Sequence, residues 1–231
     1  MHKLLLSLTF WAASGLAASN TPVLVELFTS EGCSSCPPAD ELLAKLNAVQ
    51  PIPGIDIIVL SEHVDYWNRL GWKDPYSAEL FSERQQRYAT ALRSDDVYTP
   101  EAVIDGRTGV VGSNSGRVLS AIREAGKETK TPLTLSAQRD GNQVNVNVQQ
   151  AGQADLWVAL VEASTTSRVV HGENSGRTLQ HVGVVRSLQH LKDGAGRIVI
   201  DPSWGAKGLR VVAFAQDKRS LRIMGAAQAA L

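Results

Sequence analysis

The sequence has no excess of charge of either sign, because 23 Lys and Arg residues face 23 Asp and Glu residues in a chain of 231. This balance argues against a nucleic-acid partner, which calls for a basic surface. Cysteine is also scarce. The two cysteines, Cys33 and Cys36, exclude a four-cysteine zinc site and allow a single disulfide. After residue 18, no segment approaches the length of about 20 apolar residues that a membrane span needs. Hydrophobic residues nevertheless make up 43% of the chain, which is enough for a globular core.

The first 18 residues have the pattern of an export signal. His2 and Lys3 are polar, the stretch from Leu4 to Ala13 is almost entirely apolar, and the small residues up to Ala18 suit cleavage. We therefore expect a signal peptide over residues 1–18 and a periplasmic or secreted mature protein that begins near Ser19. Such a protein meets oxidising conditions, in which disulfides persist. An uncleaved anchor is the alternative interpretation of this segment.

The chain changes its pattern near residue 130. Before this point, strand-like and helix-like segments alternate in the order β-α-β-α-β-β-α, with the second helix predicted over Ser77–Leu92, which is typical of a layered α/β domain. After Thr131, short segments with alternating apolar residues, such as Val144, Val146 and Val148, predict a sandwich-like all-β domain. The further strand candidates are Leu156–Ala163, Val182–Leu191, Arg197–Ile200 and Leu209–Ala215. The sequence therefore predicts a signal peptide over 1–18, an α/β domain over 19–130 and a β-sandwich-like domain over 131–231.

The two cysteines lie where the first apolar strand, Thr21 to Thr29, turns into the first helix. A thiol at a helix N-terminus faces free backbone N–H groups and the positive end of the helix dipole, which stabilise the thiolate. A disulfide that closes so small a loop adds little stability. We expect dithiol redox chemistry, with Cys33 as the exposed nucleophile and Cys36 as the resolving thiol. Half of a zinc site and an inert disulfide are the alternatives.

Several longer motifs surround this pair. They run from Val25 to Asp40, His63 to Trp67, Leu70 to Pro75, Val97 to Pro100 and Gly172 to Arg177. These motifs are very similar to a secreted bacterial group, the thioredoxin-like domain-of-unknown-function 1223 family. The resemblance implies an α/β thioredoxin-like fold followed by the C-terminal all-β domain. It also implies that Pro100 is a cis-proline beside the dithiol and that Thr99 lends backbone groups to a bound peptide, so that both are substrate-binding residues.

Glu26 interrupts the apolar run of the first strand. Thioredoxins carry a buried carboxylate in the corresponding strand, so the resemblance implies a catalytic role for Glu26. A buried carboxyl group has a raised pKa and can exchange protons with the resolving thiol. An edge position or a salt bridge to a Lys or Arg elsewhere in the chain is the alternative.

Aromatic and polar residues are concentrated between His63 and Trp72, just beyond the second predicted strand. Ligand sites in parallel α/β folds lie beyond the carboxyl ends of strands, so we expect Trp67 to line a substrate-binding wall. Packing of the tryptophans into a small local core is the alternative. His63 could instead join Cys33 and Cys36 as ligands of copper or zinc.

A polar cluster in the second half, His171 to Arg177 together with His181, completes the candidates. Glu173 or Arg177 could reach the first domain, and an ion pair that fixes the domain interface is the expected role. A direct part in substrate binding is the alternative.

Together these features predict an exported thiol–disulfide oxidoreductase that acts on a disulfide-containing or thiol-containing protein partner. Its redox group would be the Cys33–Cys36 disulfide, with no other cofactor. Two other classes of protein remain open. One is a periplasmic copper or zinc carrier that uses the same dithiol, and the other is a non-catalytic adaptor of thioredoxin fold.

Overall fold

A computed structural model describes residues 20–204 and 208–231. The predicted signal peptide over 1–18 and the predicted mature start at Ser19 lie outside the described residues. Within those residues, no helix is both long and apolar enough to cross a membrane.

The first half alternates strands and helices in the predicted order. Its elements are β1 (Thr21–Thr29), α1 (Pro37–Val49), β2 (Ile55–His63), α2 (Glu79–Leu92), β3 (Glu101–Ile104), β4 (Thr108–Val111) and α3 (Ser115–Ala125). Strands β1 and β2 pair in parallel, while β3 pairs antiparallel with both β1 and β4. The Asp105-Gly106 turn joins β3 to β4, and both of its residues have positive φ, as a tight hairpin turn requires.

The second half consists of strands. They are β5 (Leu133–Asp140), β6 (Gln143–Gln150), β7 (Asp155–Arg168), β8 (Thr178–Leu191), β9 (Ala195–Val199), β10 (Leu209–Gln216) and β11 (Ile223–Ala230). Strand β11 is not among the predicted strands, because four of its eight residues are alanines and its apolar alternation is weak. Strands β7 and β8 are also longer than predicted, since polar residues extend both of them towards their shared hairpin end.

One eight-stranded sheet contains strands from both halves, in the order β11-β10-β7-β8-β2-β1-β3-β4. The two halves meet where β2 lies parallel to β8, with Ser61 opposite Val184. A separate sheet, β5-β6-β9, packs its valines against β7 and β10 to form a second apolar core. The protein is therefore a mixed α/β structure with a large sheet and C-terminal strands. The domain boundary at residue 131 stays a prediction.

Alternation along β1 assigns its side chains to two different cores. Val23, Val25 and Leu27 pack with apolar residues of α1 and α3. Leu24 and Phe28 pack on the opposite face, with apolar residues of α2. Because successive side chains of a strand point to opposite faces, every polar residue of β1 is directed either to the α1 side or to the α2 side.

Candidate functional site

The two cysteines form a disulfide at the junction of β1 and α1. Cys36 is the N-cap residue of α1, and Pro37 and Pro38 open the helix, where a missing N–H costs no intrahelical bond. The side chains of Cys33 and Cys36 are 0% exposed, whereas Ser34 and Ser35 between them face solvent. The prediction of an exposed Cys33 is wrong for the disulfide form, because the side chain of Cys33 is fully buried in it.

The substrate-binding residues implied by the resemblance lie around this disulfide. The Thr99–Pro100 peptide bond is cis, and Gly112 N donates to Pro100 O at 2.9 Å. A Cβ atom added to Gly112 would lie 3.4 Å from Pro100 Cβ and 3.2 Å from Ala39 Cβ, so Pro100 approaches the first turn of α1. Close approach of three chain segments explains why glycine occupies position 112.

Trp67 contacts both Thr99 and the residue that precedes Cys33. Its Nε1 donates to Thr99 Oγ1 at 2.8 Å. A Cβ atom added to Gly32 would lie 3.1 Å from Trp67 Cβ, so the tryptophan packs against the residue before Cys33. Trp67, Thr99 and Pro100 therefore surround the turn that carries the disulfide, although their binding roles stay predictions.

Glu26 lies on the α2 side of the sheet, away from α1. Arg84 Nε donates to Glu26 Oε1 at 2.6 Å, and Tyr88 Oη donates to Glu26 Oε2 at 2.6 Å. A salt bridge to an arginine was the open alternative for Glu26, and it is the contact that the structure contains. The structure does not bring Glu26 to Cys36, and the catalytic role of Glu26 stays a prediction that no observed contact supports.

A second carboxyl group, Glu62, lies beside Glu26 with its Oε2 at 3.6 Å from Arg84 Nε. Burial, followed by the negative charge of Glu26, raises the pKa of Glu62 well above its usual value. Burial would lower the pKa of Arg84, but Glu26, Tyr88 and Glu62 together outweigh it and raise that pKa. This α2-side cluster thus holds Arg84 as a cation and favours a proton on Glu62.

The α1 side of the sheet carries a different buried cluster, which adjoins the disulfide. Glu31 precedes Cys33 by two residues, and Asp40 follows Cys36 by one helical turn. His181 of β8 lies between them, with Nε2 at 3.2 Å from Glu31 Oε1 and Nδ1 at 3.7 Å from Asp40 Oδ2. Burial would lower the pKa of His181, but the neighbouring carboxyl groups of Asp40 and Glu31 raise it to about 10. His181 is therefore a cation at neutral pH, between two segments that flank the dithiol.

Further polar contacts fix Glu31. Its Oε2 accepts from Trp72 Nε1 at 2.8 Å, its Oε1 accepts from Ser167 Oγ, and its backbone N donates to Asp74 Oδ2 at 2.8 Å. Asp74 Oδ2 also lies 2.7 Å from His63 Nδ1. Burial would raise the pKa of Asp74, but the charge and hydrogen bond of His63 outweigh it and lower that pKa. Glu31 is therefore held by groups from both halves of the chain.

His63 is fully buried within this cluster. Its ring centroid lies 4.7 Å from that of His181 and 5.2 Å from that of Tyr76. The sulfur atoms of the predicted metal alternative, Cys33 and Cys36, are joined to each other and are not available as thiolate ligands. Among residues 20–204 and 208–231, no group of three or more His, Cys, Asp or Glu side chains is arranged to hold a metal ion. The ligand set Cys33, Cys36 and His63 does not fit an ion in this form of the protein.

The loop between β7 and β8, residues 169–177, reaches the disulfide turn directly. Asn174 Nδ2 donates to Glu31 O and to Cys33 O, each at 2.9 Å. Glu173 Oε2 accepts from Ser34 N at 3.0 Å. The sequence predicted an ion pair between the halves from this polar cluster. His181 forms one with Glu31, whereas Glu173 binds a backbone N–H group between the two cysteines. Arg177 Nη1 donates to Asn174 Oδ1 at 2.9 Å and stays within its own loop.

Glu31, Asp40 and Asp74 lie in the motifs that carry the family resemblance, but the sequence predicted no individual role for any of them. For Glu31 and Asp40, a signal was present in their short spacing from the two cysteines. His181 and Asn174 belonged to the predicted polar cluster, but neither they nor Ser167 carry a signal for these contacts, because each lies more than 130 positions from the residue that it contacts. Only the long β7–β8 hairpin brings them to the dithiol.

A cleft of about 200 Å³ opens beside the first turn of α1. It is lined by Pro37, Asp40, Glu41, Arg177, Thr178, Leu179 and Gln180. The cleft therefore lies between the helix that carries Cys36 and the strand that carries His181.

Comparison with known proteins gives a family and a fold. The chain belongs to the family described as "Protein of unknown function (DUF1223)", which matches residues 24–216. A crystal structure of a protein from Agrobacterium tumefaciens is 30% identical, with a TM-score of 0.66 over 93% of this chain and 96% of that chain. HBP35 of Porphyromonas gingivalis is 14% identical and shares the fold, with a TM-score of 0.60 over 92% of this chain and 76% of that one. No curated protein matches the chain.

Proposed function

We propose that this member of the DUF1223 family is an exported thiol–disulfide oxidoreductase of thioredoxin-like fold. The observation that carries the proposal is a disulfide at the N-terminus of α1 that lies beside the cis bond between Thr99 and Pro100. A reversible disulfide needs a thiolate that can attack and a second thiol that can release the product, and Cys33 and Cys36, three positions apart where β1 turns into α1, supply both.

The order of the first-half elements supports the thioredoxin-like assignment. A parallel β1–α1–β2 unit, helix α2 on the opposite face and an antiparallel β3–β4 hairpin give the strand order β2-β1-β3-β4. This is the arrangement that the resemblance implies for a thioredoxin-like domain. The export part of the proposal is supported by the pattern of residues 1–18, and N-terminal sequencing of the mature protein from its native host tests it. A mature protein that retains residues 1–18 would contradict it.

The reaction that we propose is an exchange of one disulfide for another. In the reduced protein, the Cys33 thiolate attacks one sulfur of a partner's disulfide, which forms a mixed disulfide and releases the partner's other sulfur as a thiolate. Cys36 then loses its proton to solvent and attacks Cys33 Sγ. This step forms the Cys33–Cys36 bond and releases the second partner sulfur as a thiolate. Two electrons pass from the dithiol to the partner, and the reverse sequence oxidises a partner dithiol.

Burial of both sulfur atoms favours a second candidate, a non-catalytic adaptor of the same fold. An inert disulfide would need no access for a partner. The enzyme proposal instead requires that the turn around Ser34 and Ser35 opens far enough for a thiolate to reach Cys33 Sγ. Ser34 and Ser35 are exposed and belong to neither a strand nor a helix, so this short turn and its contact with the 169–177 loop are the parts that we propose to move.

Equilibration with glutathione tests the proposal. The folded mature protein is incubated in buffers of different glutathione ratio, free thiols are alkylated, and the reduced fraction is read by mass. We expect a reversible two-electron transition at a defined ratio. A disulfide that stays unreduced while the protein is folded would favour the adaptor, and metal that copurifies with the reduced protein and blocks alkylation would favour the carrier.

Variants of single cysteines extend the test to partners. Cys36→Ser should trap partner proteins from a periplasmic extract through a disulfide to Cys33, because the resolving step is missing. The matched control, Cys33→Ser, retains Cys36 but should trap none. Equal capture by both variants, or capture by neither, would contradict the assigned roles.

A further inference from the structure

The turn between the two cysteines is contacted by a carboxylate from the other half of the chain. Glu173 Oε2 accepts the hydrogen bond of Ser34 N at 3.0 Å, and Ser34 directly follows Cys33. The Glu173 side chain is exposed, and hydrogen bonds from Ser34 lower its pKa. A full negative charge therefore lies beside the position at which a Cys33 thiolate forms.

The position of Glu173 is set by its neighbours in the 169–177 loop. Asn174, which is 1% exposed, donates to both Glu31 O and Cys33 O. Gly172 has a φ of +76°, and a Cβ atom there would lie 3.2 Å from Trp72 Cβ. The anchoring by Asn174 and the close packing at Gly172 hold the residue between them against the disulfide turn.

The N-terminus of α1 has few N–H groups to offer a thiolate. Pro37 and Pro38 have none. Cys36 N donates to Cys33 O at 3.2 Å, and Ala39 N donates to Cys36 O at 2.8 Å. Since Ser34 N is bound by Glu173, this N–H group does not stabilise a Cys33 thiolate. Within the described residues, the hydrogen-bond contact of Cys33 Sγ itself is Ser35 Oγ at 3.4 Å.

The other charges near the turn do not offset Glu173. Glu31 and Asp40 are both acidic and share one cation, His181. Arg177 is on the same loop as Glu173, but it donates its hydrogen bond to Asn174 Oδ1. The charged groups that these contacts place around the dithiol are thus mostly carboxylates.

We propose that Glu173 is a positioning residue that disfavours the Cys33 thiolate and so gives the Cys33–Cys36 pair the low reduction potential of an electron donor. The proposal rests on the proposed oxidoreductase function and adds the direction of electron flow. A pair whose reduced form is stabilised is an oxidant, and one whose thiolate is destabilised donates its electrons readily. The partner class is therefore an oxidised protein disulfide, and a dithiol protein has to supply the electrons that regenerate the pair.

The test compares three proteins in the same glutathione equilibrium: the wild type, Glu173→Gln and Glu124→Gln. The amide of Glu173→Gln can still accept the hydrogen bond from Ser34 N, so this variant removes the charge and retains the contact. Glu124→Gln removes an exposed carboxylate on α3 and serves as the matched control. At about pH 9.5, above the ordinary cysteine pKa of about 8.5, so that the thiolate contributes to the equilibrium, we expect Glu173→Gln to shift it about threefold towards the reduced pair and Glu124→Gln to leave it unchanged.

Two further measurements separate an electrostatic effect from a structural one. The shift caused by Glu173→Gln should shrink in 1 M salt, because an exposed charge is screened. The alkylation rate of Cys33 in the reduced protein at neutral pH should also rise in Glu173→Gln.

In equal millimolar concentrations of reduced and oxidised glutathione, the wild-type pair should be mainly disulfide.

Each result supports or overturns the inference. An equilibrium that is the same in wild type and Glu173→Gln, a shift of equal size in Glu124→Gln, a shift unaffected by salt, or a wild-type pair that is mainly reduced in the equal mixture would overturn it. All of these outcomes leave the proposed oxidoreductase function intact, since the pair still equilibrates. Only a disulfide that fails to equilibrate in any of the three proteins removes the function itself.

Discussion

Each face of the central sheet buries a charged cluster, and the two clusters differ in what they adjoin. On the α2 side, Arg84 lies between Glu26 and Glu62 among apolar residues. On the α1 side, His181 lies between Glu31 and Asp40, which flank the disulfide turn. Each cluster sets buried carboxyl groups around a cation. A buried charge therefore does not mark the reactive site by itself, and the face to which strand alternation directs the residue decides its role.

The largest expected effect comes from removing the cation on the α2 side. Arg84→Met leaves Glu26 buried without its charged partner and should lower the free energy of unfolding by about 3–5 kcal/mol. Urea unfolding at neutral pH measures the loss. Arg87→Met, an exposed arginine of the same helix, is the control and should change stability little. If the clusters are independent, the glutathione equilibrium of folded Arg84→Met stays at the wild-type value. A large shift would show that the two clusters are coupled.

The corresponding change on the α1 side is His181→Gln, which should cost on the order of 3 kcal/mol at neutral pH, because two buried carboxyl groups lose their shared cation. The pKa of His181 is raised to about 10 in the folded protein. Its stabilising contribution is therefore complete below about 6.5, the pKa of an unfolded histidine, and is lost as the pH rises towards about 10. Unfolding free energies between pH 6 and 10 should fall more steeply for wild type than for His181→Gln. Parallel pH profiles would contradict a protonated His181.

A smaller effect is expected where the second half contacts the disulfide turn. Asn174→Ala removes two hydrogen bonds to buried carbonyl groups and should cost about 1–3 kcal/mol. The same change should speed reduction of the disulfide by dithiothreitol in the folded protein, since the turn loses its anchor. Ser175→Ala, which alters an exposed residue of the same loop, is the control. A reduction rate that is equal in the two variants would show that Asn174 does not limit access to Cys33.

The smallest effect is expected at Glu62. Its raised pKa means that the folded protein retains a proton there above the usual carboxyl pKa, so wild-type stability falls as the pH rises through that range. Glu62→Gln mimics the protonated carboxyl group and should change the free energy of unfolding by less than about 1 kcal/mol near pH 5. Its advantage over wild type should grow as the pH rises. A variant that loses stability relative to wild type at higher pH would mean that Glu62 is ionised and needed as an anion.

Much of the fold followed from local pattern. The predicted first strand has the observed bounds of β1, and the predicted second helix ends where α2 ends, at Leu92, because apolar spacing and turn residues mark such elements clearly. The family assignment was also confirmed. The missed strand, β11, has too little apolar contrast to be visible without the neighbouring β10, which supplies its hydrogen bonds.

The candidate site was less accessible to sequence reasoning. The predicted eighth strand began at Val182, whereas β8 begins at Thr178 and therefore includes His181. The predicted seventh strand ended at Ala163, whereas β7 continues to Arg168 and includes Ser167. In both cases polar residues extend a strand because their side chains meet other polar groups at the disulfide turn. A search for alternating apolar residues cannot detect such an extension.

By itself, the sequence determined the α/β character of the first half, the strands of most of the second, and the position of the cysteine pair at a strand–helix junction. These features depend on residues close together in the chain. Tertiary structure alone decided that Glu26 forms its ion pair with Arg84 rather than lying beside the dithiol. It also decided that His181, Asn174 and Glu173 surround the disulfide turn. Such contacts depend on which face a strand presents and on how a distant hairpin docks, and neither is encoded in local spacing.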